Sequence, residues 1–296
     1  MRFYELQVVK SSGGSDRVIT ANPDFWQKMG DYVGNLPSAD RQVPIRGRSV
    51  YGEHRLATRP AQRYFYVGGV RERAEWPDGL SGATGIVGDL QPRDQSTVLI
   101  EPTYIVPFGV NNQVAVLTMS AASPRVTALE SWFTAVHKRS DPAIAYMLTP
   151  VVNSRVAHRL GEAEGATVLR VTVKHGSDVP EAGGGHIGEA ARAARSVSQE
   201  TDIQLGWTLS HRTGDEQTKT ALLEGARWVR EDFVSKAEVN LVLADGDGFK
   251  RRKYDLLKQQ FTAMEKFDIR SNERPSEFAV LTGVHQAIDA FRKEFS

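Results

Sequence analysis

The sequence predicts a mixed α+β fold whose sheets are largely antiparallel and are flanked by helices. Short β-rich runs follow one another through tight turns, and segments with a helical apolar stripe lie between them in no regular order. The strict alternation of strand and helix that is typical of parallel α/β folds is absent from this pattern. A chain of 296 residues is long enough for two domains. We place a β-rich domain at 1–147 and an α+β domain at 148–296.

The N-terminal half is predicted to be built mainly from strands. These strands lie at 3–10, 97–100, 104–110 and 113–119, in runs rich in β-branched and aromatic residues. Asn111-Asn112 indicates a hairpin between the last two, because asparagine tolerates a left-handed backbone. Asn22-Pro23 and Ser123-Pro124 each combine a favoured N-cap residue with a proline at the first helical position, so each predicts the start of a helix.

The C-terminal half alternates between strands and helices. Strands are predicted at 169–173, 203–209 and 239–243, and helices at 188–197, 216–234 and 276–295. The last helix has an apolar stripe formed by Val280, Val284, Ile288 and Phe291. Asp245-Gly-Asp-Gly248 predicts a turn that leads to a returning strand near Lys250.

Composition indicates a globular, cytoplasmic protein. Hydrophobic residues make up 40% of the chain and charged residues 25%, which is the usual balance for a folded domain. No apolar run is long enough to span a membrane, and the first ten residues lack the apolar core of a signal peptide. The chain contains no cysteine, which excludes disulfides and thiolate metal sites.

The glycine-rich segment 183–188 has the spacing of a dinucleotide-binding motif. In such a site the first glycine follows a strand directly, so that the pyrophosphate meets the N-terminus of the next helix. Here the preceding strand is predicted to end near Lys174, and several loop residues lie between. A flexible linker is therefore the favoured interpretation, and no cofactor is predicted.

Two carboxylates, Asp245 and Asp247, are close enough in sequence to hold a divalent metal ion. The same residues suit a hairpin turn, which we favour, so no metal site is predicted. A nuclease with an acid-x-Lys pattern would need a carboxylate at position 172, where the sequence has Thr172. No phosphate-binding loop or serine nucleophile motif is present, and Glu130 is interpreted as a packing residue of its helix. No catalytic residue is therefore predicted.

Two basic groups are the strongest functional signal. Between residues 41 and 73 the sequence has eight arginines and the acidic residues Glu53 and Glu72, and a second group, Lys250 to Lys253, follows the predicted turn. Guanidinium groups suit phosphate recognition, and local concentration of positive charge favours a nucleic-acid partner. The residues predicted to contact double-stranded DNA are Arg46, Arg48, Arg55, Arg59, Arg63, Lys250, Arg251, Arg252 and Lys253.

The order of elements resembles the RexA-like phage exclusion proteins and, more loosely, the DNA-binding subunit of the Kiwa defence system. The segments that carry the resemblance are the strands 50–54 and 64–67, the run 100–110, the Ser-Pro helix start, and the runs 148–152 and 169–173. The resemblance implies a homodimeric, sequence-tolerant DNA-binding protein that senses phage DNA and signals to a membrane effector. It implies no catalytic residue.

Two other classes of function stay open at this point. One is an enzyme, either nucleotide-dependent through the 183–188 loop or metal-dependent through Asp245 and Asp247. The other is an interaction module whose arginine-rich face binds an acidic protein. The expected function is a non-catalytic DNA-binding protein of an anti-phage defence or abortive infection system.

Overall fold

The computed structural model describes residues 1–12, 15–19, 21–72, 76, 78–80, 87–89, 97–109, 112–138, 141–152, 154–209, 215–230, 232–245, 248–257 and 275–295. Strands β1 to β14 span Arg2–Ser12, Ser15–Ile19, Gln42–Ile45, Arg48–Thr58, Ala61–Arg71, Asp78–Leu80, Val87–Asp89, Leu99–Phe108, Gln113–Thr118, Ile144–Pro150, Gly165–Val173, Ile203–Thr208, Val234–Asp245 and Gly248–Asp255. Helices α1 to α6 span Phe25–Asn35, Val126–His137, Ser154–Glu162, Gly185–Val197, Glu216–Trp228 and Glu277–Phe295. None of the helices in these ranges is both long and apolar enough to cross a membrane.

The strands form two main antiparallel sheets. The large sheet has eight strands in the order β10-β1-β9-β8-β5-β4-β3, with β2 paired to β1. The small sheet has four strands in the order β12-β11-β13-β14, and β6 pairs with β7 separately. The predicted class, a mixed α+β fold with antiparallel sheets, is confirmed.

Helices cover both faces of the large sheet. Side chains alternate along each strand, so Phe65 in β5 packs towards α1 and α2, whereas its neighbour Tyr64 packs towards α6. The ring of Phe291 in α6 stacks on Phe3 in β1, with centroids 4.7 Å apart. The predicted apolar stripe of α6 is buried against this face.

The small sheet has its own core, formed with α4 and α5. Leu222 and Ala226 of α5 pack with Leu169 of β11, and Ile187 of α4 joins the same cluster. Met147 of β10, a strand of the large sheet, also belongs to this cluster. The two sheets therefore share a continuous apolar contact.

The predicted domain boundary at 147/148 falls inside β10. This strand pairs with β1 from Lys10↔Ile144 to Tyr4↔Pro150, so a cut at that point would divide one strand of the large sheet. Helix α6, placed in 148–296 by its position in the chain, packs on the large sheet. Sequence order does not specify which sheet an element joins, because that choice depends on contacts far away in the chain.

The turn at Asn112 agrees with the prediction for that residue. Asn112 has a φ of 53°, in the left-handed region, and its side-chain amide donates to the carbonyls of Ala21 and Asn22 at 3.1 and 2.9 Å. Its own carbonyl accepts a hydrogen bond from Trp26 Nε1 at 3.1 Å. Asn112 thus joins the β8–β9 hairpin to the start of α1, while position 111 lies outside the described residues.

Candidate functional site

The arginines of the 41–73 segment do not share one face of the large sheet. Along β4, Val50 packs on the α1 and α2 side and Ala57 on the α6 side. By the same alternation Arg48 lies on the first face and Arg55 on the second. Arg59 is exposed in the two-residue connection between β4 and β5. Arginines that lie close together in the sequence therefore lie on different faces of the folded sheet.

Acidic side chains neutralise several of these arginines. The ion pairs are Arg46–Asp178, Arg55–Glu53, Arg55–Glu277, Arg63–Asp31 and Arg71–Glu101. Four of these five carboxylates come from outside the 41–73 segment. Arg55 also lies over the ring of Tyr66, 4.0 Å from its centroid. These contacts reduce the number of arginines that are available to a ligand.

The second basic group lies on β14, an edge strand of the small sheet. The backbones of residues 250–253 pair with β13, as the predicted returning strand requires. Lys253 is exposed and pairs with Glu238 at 3.0 Å. The side chains of Lys250, Arg251 and Arg252 lie outside the described residues. The two predicted DNA-contacting groups therefore belong to different sheets.

The glycine-rich segment is packed against aromatic and sulfur-containing side chains. A Cβ at Gly183 would lie 2.3 Å from Met147 Sδ, and one at Gly184 would lie 2.6 Å from the Trp228 ring. Both glycines have positive φ, 80° and 74°, and α4 begins at Gly185. Close packing and a left-handed backbone therefore account for the presence of glycine at positions 183 and 184.

The Asp245-Gly-Asp-Gly248 segment joins β13 to β14 as the predicted hairpin. Asp245 pairs with Gly248 in the ladder, and Asp247 lies outside the described residues. Within the part of the chain that the structure describes, no group of three or more His, Asp or Glu side chains is placed to hold a metal ion. The pairing of β13 with β14 confirms the predicted hairpin, and the expectation that Asp245 and Asp247 hold no metal ion stays a prediction.

A cleft of about 530 Å³ lies where the large sheet meets the loop that follows β11. Its walls are the β3–β4 turn, the residues around the start of α2, and residues 174–178. The charged side chains that line it are Arg46, Arg48, Arg125, Lys174, Asp178 and Asp232. We call it the cationic cleft.

The β3–β4 turn supplies one wall of the cationic cleft. Arg46 and Gly47 both have positive φ, 49° and 81°, which is the requirement of a type I′ hairpin turn. A positive φ is uncommon for an arginine. Here the Arg46 side chain pairs with Asp178, and its Nη2 donates to the Val179 carbonyl at 2.8 Å. Arg46 thus connects the large sheet to the loop after β11.

The start of α2 supplies the second wall. The helix begins at Val126, two residues later than the Ser123-Pro124 pair predicts. The Ser123 hydroxyl donates instead to the Pro102 carbonyl at 2.9 Å. Arg125 therefore occupies the N-cap position, where its exposed side chain borders the cleft.

A distant carboxylate caps α2. The backbone N–H of Thr127 donates to Asp232 Oδ2 at 3.2 Å, across 105 positions of sequence. A carboxylate at a helix N-terminus satisfies an unpaired N–H and interacts favourably with the helix dipole. Because Asp232 follows α5, this bond joins the two halves of the chain at the floor of the cationic cleft.

Asp232 belongs to a buried ion network. Arg230 is 2% exposed, and its Nη1 and Nη2 donate to the Glu130 carboxylate, the second at 2.9 Å, while its Nε lies 3.3 Å from Asp232 Oδ1. The Leu148 N–H donates to Glu130 Oε1 at 2.5 Å, and the Leu148 carbonyl accepts from Arg230 Nη1 at 2.9 Å. Glu130 is therefore the centre of an ionic contact between α2, β10 and the segment after α5.

Lys174 forms the third wall together with the residues that follow it. It comes directly after β11 and is half-buried. Burial and the positive charges of Arg125 and Arg2 lower the pKa of Lys174, and Asp232 opposes this effect. Burial, and to a smaller extent the neighbouring cations, therefore disfavour the charged form of the lysine, and a bound anion would favour that form.

The charged lining of the cationic cleft has a positive balance. Four cations face two carboxylates, so the net charge is +2 with His175 neutral. Asp178 is paired by Arg46, and Asp232 is held by Arg230 and the start of α2. Within the described ranges, neither Arg48 nor Arg125 has an ion-pair partner. The arrangement can bind an anionic group such as a phosphate.

Two of the predicted DNA contacts, Arg46 and Arg48, line the cationic cleft. Arg55, Arg59 and Arg63 are not part of its lining. Arg125 and Lys174 were not predicted as contacts, because each is an isolated basic residue in the sequence. The sequence signals near them were the proline before Arg125 and the strand that ends before Lys174, and neither signal indicates a binding site.

Comparison with protein-family models finds no match for this chain, and comparison with curated proteins finds none at a significant level. The resemblance to the RexA-like phage exclusion proteins therefore stays a prediction.

Proposed function

We propose that the protein binds duplex DNA through its phosphates, with little regard to sequence and without cleaving it. The observation that carries the proposal is the cationic cleft, where Arg48 and Arg125 lie without ion-pair partners among the described residues, beside the half-buried Lys174. Guanidinium groups bind phosphate oxygens in a bidentate manner. Contacts to phosphates position a protein on DNA but carry no base information.

The proposed biological role is that of the DNA sensor in a phage exclusion or anti-phage defence system. The support for this role is the resemblance described above, which also implies a homodimer and a membrane effector as partner. Lys250 to Lys253 and Arg59 remain proposed contacts outside the cleft. In this role the protein recognises DNA by charge and shape, and the effector performs the downstream action.

Replacing Arg48 and Arg125 together with glutamate is expected to weaken binding to all duplex sequences alike, at least about tenfold at low salt. The logarithm of affinity should fall linearly with the logarithm of salt concentration, by about 0.9 for each phosphate contact. The double variant should lower this slope by about 2, because two contacts are lost. Fluorescence anisotropy of random duplexes, titrated at several salt concentrations, measures both quantities.

The matched control is the double replacement of Lys10 and Arg17 with glutamate. These two residues are exposed cross-strand neighbours on β1 and β2 and do not line the cationic cleft. The control makes the same change in net charge, so its binding should stay close to that of the unmodified protein. If the unmodified protein fails to bind duplex DNA even at the lowest salt, the proposal is wrong and an acidic protein partner takes its place.

The protein is expected to leave plasmid and oligonucleotide DNA intact in the presence of Mg²⁺ or Mn²⁺. The reason is chemical: the position two residues before Lys174 is Thr172, so the carboxylate of an acid-x-Lys nuclease pattern is missing. Gel electrophoresis after prolonged incubation tests this. Cleavage that disappears on replacing Asp245 or Asp247 with alanine would establish the metal-dependent alternative instead.

A further inference from the structure

We propose that the cationic cleft binds a terminal phosphate monoester at the end of a DNA strand, in preference to the phosphodiesters along the duplex. This inference rests on the proposed DNA binding and names the part of the DNA that the cleft recognises. Three observations support it, namely the volume of the cleft, the balance of its charges and the unequal burial of its cations.

The volume of the cationic cleft suits a small group rather than a length of duplex. At about 530 Å³ it lies within the range of about 300–1,000 Å³ that is usual for small-molecule sites. The phosphates of an intact duplex lie on a convex outer surface and are followed by neighbouring sugars and phosphates on both sides. A strand end has no neighbour on one side, so its phosphate can project into a cleft of this size.

The charge of the lining matches a monoester better than a diester. The lining has a net charge of +2 with His175 neutral. A phosphate monoester at neutral pH carries a charge of about −1.5 to −2 and three terminal acceptor oxygens. An internal phosphodiester carries one negative charge and two such oxygens, so it would leave part of the positive charge uncompensated.

The cations of the cleft lie at different degrees of burial. Arg48 and Arg125 are exposed, whereas Lys174 is half-buried near the buried residues Thr127 and Asp232. Phosphates on the outer surface of a duplex can meet the exposed arginines. A group that also reaches Lys174 must enter the cleft. Burial and the charges of Arg125 and Arg2 lower the pKa of this lysine, and a negative group beside it would favour its charged form.

The two carboxylates of the lining do not prevent this binding. Asp178 pairs with Arg46 at the rim. Asp232 accepts the N–H of Thr127 and lies against the guanidinium of Arg230 behind the cleft. Both carboxylates therefore already have partners in the protein, and the exposed side chains of Arg48 and Arg125 border the cleft.

The test compares three duplexes of the same sequence with an internal fluorophore. One is linear with phosphorylated 5′ ends, one is linear with dephosphorylated ends, and one is closed at both ends by hairpin loops. We expect the phosphorylated duplex to bind about tenfold more tightly than the other two, the effect of one charged hydrogen-bonded contact. This difference in affinity should disappear when Arg48 and Arg125 are both replaced with glutamine. It should persist when Lys10 and Arg17 are both replaced with glutamine.

The other possible results of this comparison contradict different parts of the proposal. Equal binding of all three duplexes would overturn the strand-end inference and leave the proposed DNA binding intact. Tighter binding of both linear duplexes, irrespective of phosphorylation, would overturn the phosphate assignment. Binding of free deoxyadenosine monophosphate as tight as that of the phosphorylated duplex would overturn DNA as the source of the monoester. Failure of every duplex to bind at low salt would remove the proposed function and the inference together.

Discussion

Replacing Glu130 with alanine is expected to lower the free energy of unfolding by about 3–5 kcal/mol, the range found when one partner of a buried ion pair is removed. Arg230 is 2% exposed, so its guanidinium depends on protein groups rather than on bulk water for its partners. Asp232 remains as a partner of the Arg230 Nε, but the two terminal nitrogens lose their carboxylate. The Leu148 N–H also loses its acceptor in the core.

Chemical denaturation followed by tryptophan fluorescence measures this loss. A second variant distinguishes a destroyed fold from an unpaired charge. Replacing Glu130 with leucine, Arg230 with methionine and Asp232 with asparagine removes all three buried charges, and the asparagine keeps an acceptor for the Thr127 N–H. This triple variant should recover a large part of the lost stability, because apolar replacements of buried ion networks are often neutral or better. A loss below about 1 kcal/mol in the alanine variant would contradict the prediction.

The exposed pair Arg63–Asp31 is the matched control for Glu130. Its nitrogen and oxygen are 3.1 Å apart, but both side chains are close to half exposed, at 47% and 56%. Exposed pairs contribute about 0–1 kcal/mol, because water and salt screen the attraction. Replacing Asp31 with alanine should therefore change stability by less than about 1 kcal/mol.

Replacing Gly184 with alanine is expected to lower the free energy of unfolding by about 2–4 kcal/mol. Two effects add at this residue. Its φ of 74° lies in the left-handed region, which a Cβ disfavours. The new Cβ would also lie 2.6 Å from the Trp228 ring, which is packed against Phe233 with centroids 4.8 Å apart and cannot easily move.

Two other glycines separate these effects. Gly185 has a φ of 50°, but a Cβ there would meet no atom closer than 4.0 Å, so its alanine variant should show the backbone cost alone. Gly161 lies in α3 with open space around it, and alanine there should be neutral or stabilising by up to about 1 kcal/mol. If the Gly184 variant is as stable as the Gly161 variant, the packing explanation of the glycine motif is wrong.

Much of the local structure follows from patterns that lie within a few residues of each other. The strand predicted at 3–10 lies within β1, and the helix predicted at 276–295 corresponds to α6. The Asp245-Gly-Asp-Gly248 hairpin joins the strands that it was expected to join. Alternation, apolar stripes and turn residues act over short distances, so the sequence contains the information that these elements require.

Local patterns predicted other boundaries incorrectly. The helix expected over 216–234 ends at Trp228, although Val229 and Phe233 are buried as its stripe requires. At Val229 the backbone becomes extended, and the side chains of Arg230 and Asp232 reach Glu130 and the start of α2. The spacing of apolar residues indicates which side chains are buried. It does not indicate whether those residues belong to a helix or to an irregular segment.

The sequence by itself determined the α+β class, the antiparallel pairing and the excess of arginine on the 41–73 segment. Only the tertiary structure decided which of those arginines are neutralised. Arg46 meets Asp178 and Arg63 meets Asp31, while Arg48 comes to line a cleft with Arg125 and Lys174. The physical reason is that strand and helix formation depend mainly on near neighbours in the chain, whereas a charge interacts with whichever groups the fold brings within a few ångströms of it.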